Sequence, residues 1–114
     1  MRENRVERSS RKKVDEKLKA VPKLVAVASL YGRKIARQEL VERSKEALEE
    51  LEDIKSTIAL LPQKEQQDII EKRYLKHNEY DTDIQVYMEL NMSESYYYRM
   101  KREALETLAF FWGF

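Results

Sequence analysis

The chain has 114 residues, of which 42% are hydrophobic and 38% charged, and its formal net charge is +1. That length holds one small domain with an extension but not two full domains, and so even a charge balance points to no partner. It contains no Cys, two Gly and two Pro. Disulfides and thiolate chemistry are excluded, a cytoplasmic location fits, and a turn-rich β fold is disfavoured against an all-α one.

The charges are unevenly placed. Residues 1–23 hold nine Lys or Arg against four acids, whereas residues 81–114 hold three against six. Met1 to Lys13 is basic and nearly devoid of apolar residues, which reads as a solvated tail. The alternative is an arm on DNA phosphates using Arg2, Arg5, Arg8, Arg11, Lys12 and Lys13. This stretch is too polar for a signal peptide, and no apolar run along the chain approaches the length of a membrane span.

Ser10 can cap a first helix carrying Val14, Leu18 and Val21. Pro22 then starts a new helix at its first turn or kinks a continuing one. The apolar stretch 22–31 reads as a buried helix that Gly32 can end. A long charged helix is expected from about Arg33 to Leu60. Along it Leu40, Ser44, Ala47, Leu51, Ile54, Ile58 and Leu61 recur at alternating spacings of four and three. Such a line serves either as a coiled-coil seam joining two subunits through residues 40–61, or as the face of an amphipathic helix packed on the chain's own domain.

Leu61-Pro62 breaks this helix, because the residue before Pro is pushed out of helical geometry. Pro62 opens another, with Ile69, Ile70 and Tyr74 assigned to the core. The stretch 76–81 is a polar connector. Thr82 caps the next helix in a Thr-x-x-Gln capping box with Gln85, and Val86, Tyr87 and Leu90 form its apolar face. Asn91 sits where the chain must reverse and tolerates a left-handed backbone. Ser93 is a fresh N-cap with Glu94 in the first turn behind it. The last helix then presents Tyr97, Met100, Ala104, Leu105 and Leu108 inward. A short helix, a tight turn and a longer helix make a helix-turn-helix signature, whose second helix characteristically enters a DNA major groove.

The outer face of that second helix carries Ser95, Arg99, Arg102 and Glu106, with Tyr96, Tyr98 and Lys101 on its flanks. Arg reads guanine bidentately, Ser serves either base pair and Tyr hydroxyls reach phosphates. We expect Ser95, Tyr96, Arg99 and Arg102 at base edges, and Tyr98, Lys101 and Arg73 at phosphates. The alternative is an ordinary helical hairpin with a solvated charged face. The acidic balance of this half implies weak or conditional binding, because Lys and Arg supply most non-specific affinity. The closing LAFFWGF holds Phe110, Phe111, Trp112 and Phe114. This cluster either closes the domain's own core, against residues 24–31, or anchors a subunit or polymerase interface.

Residues 61–74 (LPQKEQQDIIEKRY) and 83–105 (DIQVYMELNMSESYYYRMKREAL) resemble the C-terminal part of the ArpU-type phage transcriptional regulators, which are related to the RinA-type late-gene activators. The same half is similar to region 4 of bacterial sigma factors. Asn91 stands where both families usually have Gly. The resemblance covers about half the chain. It says little about residues 1–60, which composition and spacing read as a basic tail plus amphipathic helices, either a coiled-coil oligomerisation region or an N-terminal helical extension. For residues 61–114 it implies a sigma-region-4-like helix-turn-helix domain. It further implies a cytoplasmic activator of phage or mobile-element late genes, bound to double-stranded DNA and working with host RNA polymerase in the bacterial cell.

No enzymatic chemistry is expected. His77 is the only His, and a lone His in a polar loop has no second metal ligand or nucleophile beside it. Neither Gly belongs to a phosphate loop, and no cofactor is implied. The competing reading is a protein-interaction adapter in which the helix-turn-helix is only scaffold. A third is the DNA-recognising small subunit of a packaging enzyme.

Overall fold

A computed structural model describes residues 5–34, 37–76 and 82–114. The protein is all-α, and no strand occurs among the described residues. The helices are α1 (Arg5–Lys19), α2 (Val21–Ala28), α3 (Gln38–Ile58), α4 (Lys64–Ile70), α5 (Asp83–Glu89) and α6 (Glu94–Trp112), with a π-helical turn over Glu71–Leu75 continuing α4. No helix among the described residues is long and apolar enough to cross a membrane.

The first correction concerns the basic N-terminus. It is not a tail up to Ser10: α1 is helical from Arg5, and Ser10 lies inside it. Arg, Lys and Glu are good helix formers, and tertiary contact holds the segment. Val14 and Leu18 are fully buried, and the Arg11 guanidinium meets Glu106 on α6 at 3.0 Å. Arg2 lies outside the described residues.

Ala20 separates α1 from α2, and Pro22 sits in the first turn of α2, where its missing N–H is not needed. Gly32 follows with a left-handed φ of 85°, as the end of this apolar segment requires. The long helix is shorter than expected, Gln38–Ile58 in place of about 33–60. At its C-terminal end the restriction imposed by Pro62 reaches back through a turn at residues 59–60. The Gln67 side chain ties this turn down, donating to the carbonyls of Leu61 (2.9 Å) and Ala59 (3.3 Å).

The line of apolar residues on α3 packs on the chain itself. Ser44, Ala47, Leu51, Ile54, Ile58 and Leu61 are all buried, and Leu40 is half-buried. Their cover comes from α2 and from the core that α1, the π turn and α6 share. Ser44 fits this position because its hydroxyl donates to the Val41 carbonyl at 2.7 Å, leaving no unsatisfied polar group. Residues from both sides of the expected boundary at 60/61 contribute to this one core: Val14, Leu18, Val21, Ile54 and Ile58 pack with Ile70, Tyr74, Leu105 and Leu108. Full burial of each large aliphatic side chain contributes about 1.5–3 kcal/mol, so α1 and α3 stabilise the platform on which α6 lies.

A second, smaller core sits under α5. Ile69, Val86, Tyr97 and Met100 are buried there, with Tyr87, Leu90, Met92 and Tyr96 packed around them. The aromatic tail divides between two fates. Trp112 packs on the larger core, with the Lys17 ammonium 4.9 Å from its ring centroid. Phe110 is 83% exposed, and Phe111 and Phe114 are each 43% exposed. Of the two alternatives, closing the core applies to Trp112 alone: Phe110 lies on the opposite side of α6 from Leu108, and Phe111 and Phe114 stay partly exposed.

Candidate nucleic-acid interface

Local chemistry sets the geometry of the α5–α6 pair. Thr82 accepts from the Gln85 N–H at 3.2 Å, and the Gln85 side chain accepts from the Thr82 N–H at 3.1 Å, so the capping box is complete. At the other end of α5, Asn91 is the one non-Gly residue with positive φ (55°) among the described residues. The Met92 N–H reaches the Tyr87 carbonyl (3.0 Å) and the Asn91 N–H the Met88 carbonyl (3.3 Å). Together these form a Schellman motif with Asn in the place usually taken by Gly. Two residues later Ser93 caps α6, accepting from the Tyr96 N–H at 3.2 Å. Only residues 90–93 separate the helices, so the direction of α6 is set by backbone hydrogen bonds at each step.

Asp83, in the first turn of α5, binds α5 to α6 and to the π turn. Its Oδ1 accepts from the Tyr97 hydroxyl at 2.6 Å and from Lys101 Nζ at 2.8 Å. Arg73 Nε lies 3.3 Å from the same oxygen, close enough to pair but not aligned as a hydrogen bond. Burial opposes ionisation of Asp83, but the hydrogen bonds from Lys101 and Tyr97 and the charges of Lys101 and Arg73 outweigh it. The carboxyl is held below its ordinary range. Burial and the Asp83 hydrogen bond push the Tyr97 phenol up, so it remains a donor. A parallel link joins α1 to the π turn, where the Tyr74 hydroxyl donates to Asp15. Asp15 resembles Asp83: burial is outweighed by the Tyr74 and Lys19 hydrogen bonds and the charges of Lys19 and Lys101.

The expected site residues accordingly fall into two groups. Ser95, Tyr98, Arg99 and Arg102 are exposed on the first half of α6. Tyr98 stacks edge-on against Tyr97 (5.2 Å between centroids), which stiffens it. Tyr96 is half-buried against the smaller core, and the Arg99 guanidinium lies 5.3 Å from its ring centroid, so it supports Arg99 as much as it faces outward. Arg73 and Lys101 turn inward. Their side chains are only 17% and 14% exposed, and both are engaged by Asp83.

Asp83 was missing from the sequence-based site, and no local signal marks it, since an acid in a first helical turn is ordinarily a solvated dipole partner. His77 and most of the polar connector lie outside the described residues. The remaining outer residue, Glu106, is paired with Arg11.

The class defined by these features is an all-α protein that presents one stiffly mounted helix with an exposed cationic and hydroxyl-bearing end. Residues 1–109 match the model of a family described as protein of unknown function DUF1492, and the chain belongs to that family. No curated protein and no solved structure matches it.

Proposed function

We infer that the protein is a sequence-specific DNA-binding transcriptional regulator that lays the first half of α6 in the major groove. The observation that carries this reading is the two-sidedness of α6. Tyr97, Met100, Ala104 and Leu108 are buried on one side, while Ser95, Tyr98, Arg99 and Arg102 are exposed on the other. At 1.5 Å per residue, Ser95 to Arg102 spans roughly 10 Å, comparable with the ~12 Å width of a major groove.

In this mechanism Ser95, Arg99 and Arg102 read base edges, Tyr98 holds phosphate, and α5 braces the backbone. Arg73 and Lys101 act on the fold: their charges neutralise Asp83, so they brace α6 rather than touch phosphate. The likeness of residues 61–74 and 83–105 to ArpU-type regulators supports a role at phage or mobile-element late genes with host RNA polymerase.

Selection from a random-sequence duplex library at low salt, followed by anisotropy titrations, tests the reading. Enrichment of one motif that Arg99→Ala weakens on that motif alone is expected. Retention of no sequence at 50 mM salt or below refutes it.

A further inference from the structure

The outward side of α6 changes character along its length. Beyond Arg102 it carries Glu103, Glu106 and Phe110, and these border an open groove of about 490 Å3 between α4 and α6, completed by Pro62, Gln63, Gln66 and Thr107. Phosphates would be repelled here, so this half of the helix is not a continuation of a DNA face.

Gln66 defines the chemistry of the groove. It is 3% exposed, and its Nε2 donates to Glu103 Oε2 at 3.4 Å. A carboxylate only accepts, which fixes the amide orientation and leaves Oε1 as a buried carbonyl oxygen with no partner. Such an acceptor is unfavourable unless a donor reaches it. Glu106 is already paired with Arg11, so the groove is left with the Glu103 carboxylate and, beneath it, the buried unpaired carbonyl oxygen of Gln66, beside a phenyl ring that is 83% exposed.

We propose that the α4–α6 groove is a docking site for an arginine side chain of a partner protein, carried on a segment whose neighbouring apolar residue covers Phe110. Arginine is favoured over lysine because its planar fork supplies five N–H donors. It can serve the Glu103 carboxylate and the Gln66 carbonyl together, which a single ammonium cannot do with the same fixed geometry. The exposed phenyl ring supplies the apolar anchor that small interfaces need at their centre. This surface is distinct from Ser95, Arg99 and Arg102, and the inference stands or falls independently of DNA binding.

The test is a 15N NMR titration of the full chain with N-acetyl-leucyl-arginine amide, against the citrulline isostere and the lysine analogue. Saturable shifts of the Gln66 side-chain amide and of the Glu103, Thr107 and Phe110 backbone amides are expected with arginine. Removing one partly exposed charge partner, as in Glu103→Gln, should weaken binding by about fivefold. Phe110→Ala, at an exposed position that the fold does not need, should remove the contribution of the leucine. The proposal is overturned if no saturable shift occurs, if citrulline or lysine binds as well, or if neither variant matters. It is equally overturned if the same signals move with protein concentration alone, because the occupant is then a second copy of the chain.

Discussion

Replacing Asp83 by Asn removes one negative charge and keeps the shape and one acceptor. Three groups lose a charged partner: Lys101 at 2.8 Å, Arg73 at 3.3 Å and the Tyr97 hydroxyl at 2.6 Å. Asp83 itself is 23% exposed, and its two cationic partners are less so. A charge-assisted hydrogen bond is worth about 1.5–3 kcal/mol, and stranding a buried charge costs about 3–5 kcal/mol. Partial solvent access to both cations lowers that figure, so Asp83→Asn should destabilise the fold by about 2–4 kcal/mol. For 114 residues the entropy of unfolding is about 0.24 kcal/mol/K, which converts a loss of ~3 kcal/mol into a Tm drop of roughly 12 °C.

Thermal unfolding followed by circular dichroism at pH 7 measures this directly, and a drop of less than about 3 °C would show that the network contributes little. The pH dependence supplies a second check. The Asp83 pKa is depressed in the folded state, so its stabilisation is complete above the ordinary carboxylate pKa of ~4 and disappears as pH falls through the folded value. The stability gap between wild type and Asp83→Asn should therefore narrow below pH 4. A gap that stays constant down to pH 2 would contradict the assignment of charge as its source.

Three further outcomes follow from the same geometry. Arg99→Ala should leave the Tm unchanged, since the side chain is exposed, and should weaken a selected DNA site by ~1–3 kcal/mol with little effect on random duplex; equal losses in anisotropy titrations would make Arg99 a phosphate contact. Asn91→Ala should destabilise by about 1 kcal/mol in urea titrations, because Ala tolerates the left-handed backbone less well, while Asn91→Gly should be neutral or stabilising. Leu108→Ala should cost about 2–5 kcal/mol, whereas Phe110→Ser should cost almost nothing, matching 0% and 83% exposure; similar losses in both would place Phe110 in the core.

Much of the architecture was legible in the chain because it is encoded locally. The Thr82–Gln85 capping box, the left-handed Asn91, the Ser93 cap and the breaks at Gly32 and Pro62 depend on a few neighbouring residues. The two caps and the Asn91 turn stand at those residues, whereas α2 and α3 already end at Ala28 and Ile58, ahead of Gly32 and Pro62. Helical spacing likewise identified Ile69, Ile70, Tyr74, Tyr97 and Leu108 as buried, because a 3.6-residue period leaves one stripe to cover. What covers each stripe is not a local property. The residue pattern of α3 suits a partner subunit as well as it suits α2, and only the packed chain shows that its own helices fill that role.

The same limit applied to the charges. Lys101 and Arg73 look like phosphate contacts when read along the chain, but Asp83 is brought between them by the turn at residues 90–93 and the π turn at 71–75. Basic α1 reads as a solvated tail until Glu106 is seen beside Arg11. Caps and helix breaks arise from interactions over three to five residues, so sequence alone determined where α5 and α6 begin and which helix faces turn inward, while the start of α1 at Arg5 and the span of α3 departed from it. Ion pairs and shared cores join residues 10 to 95 positions apart, so only the tertiary structure decided which cations remain exposed and which are used to hold α6 in place.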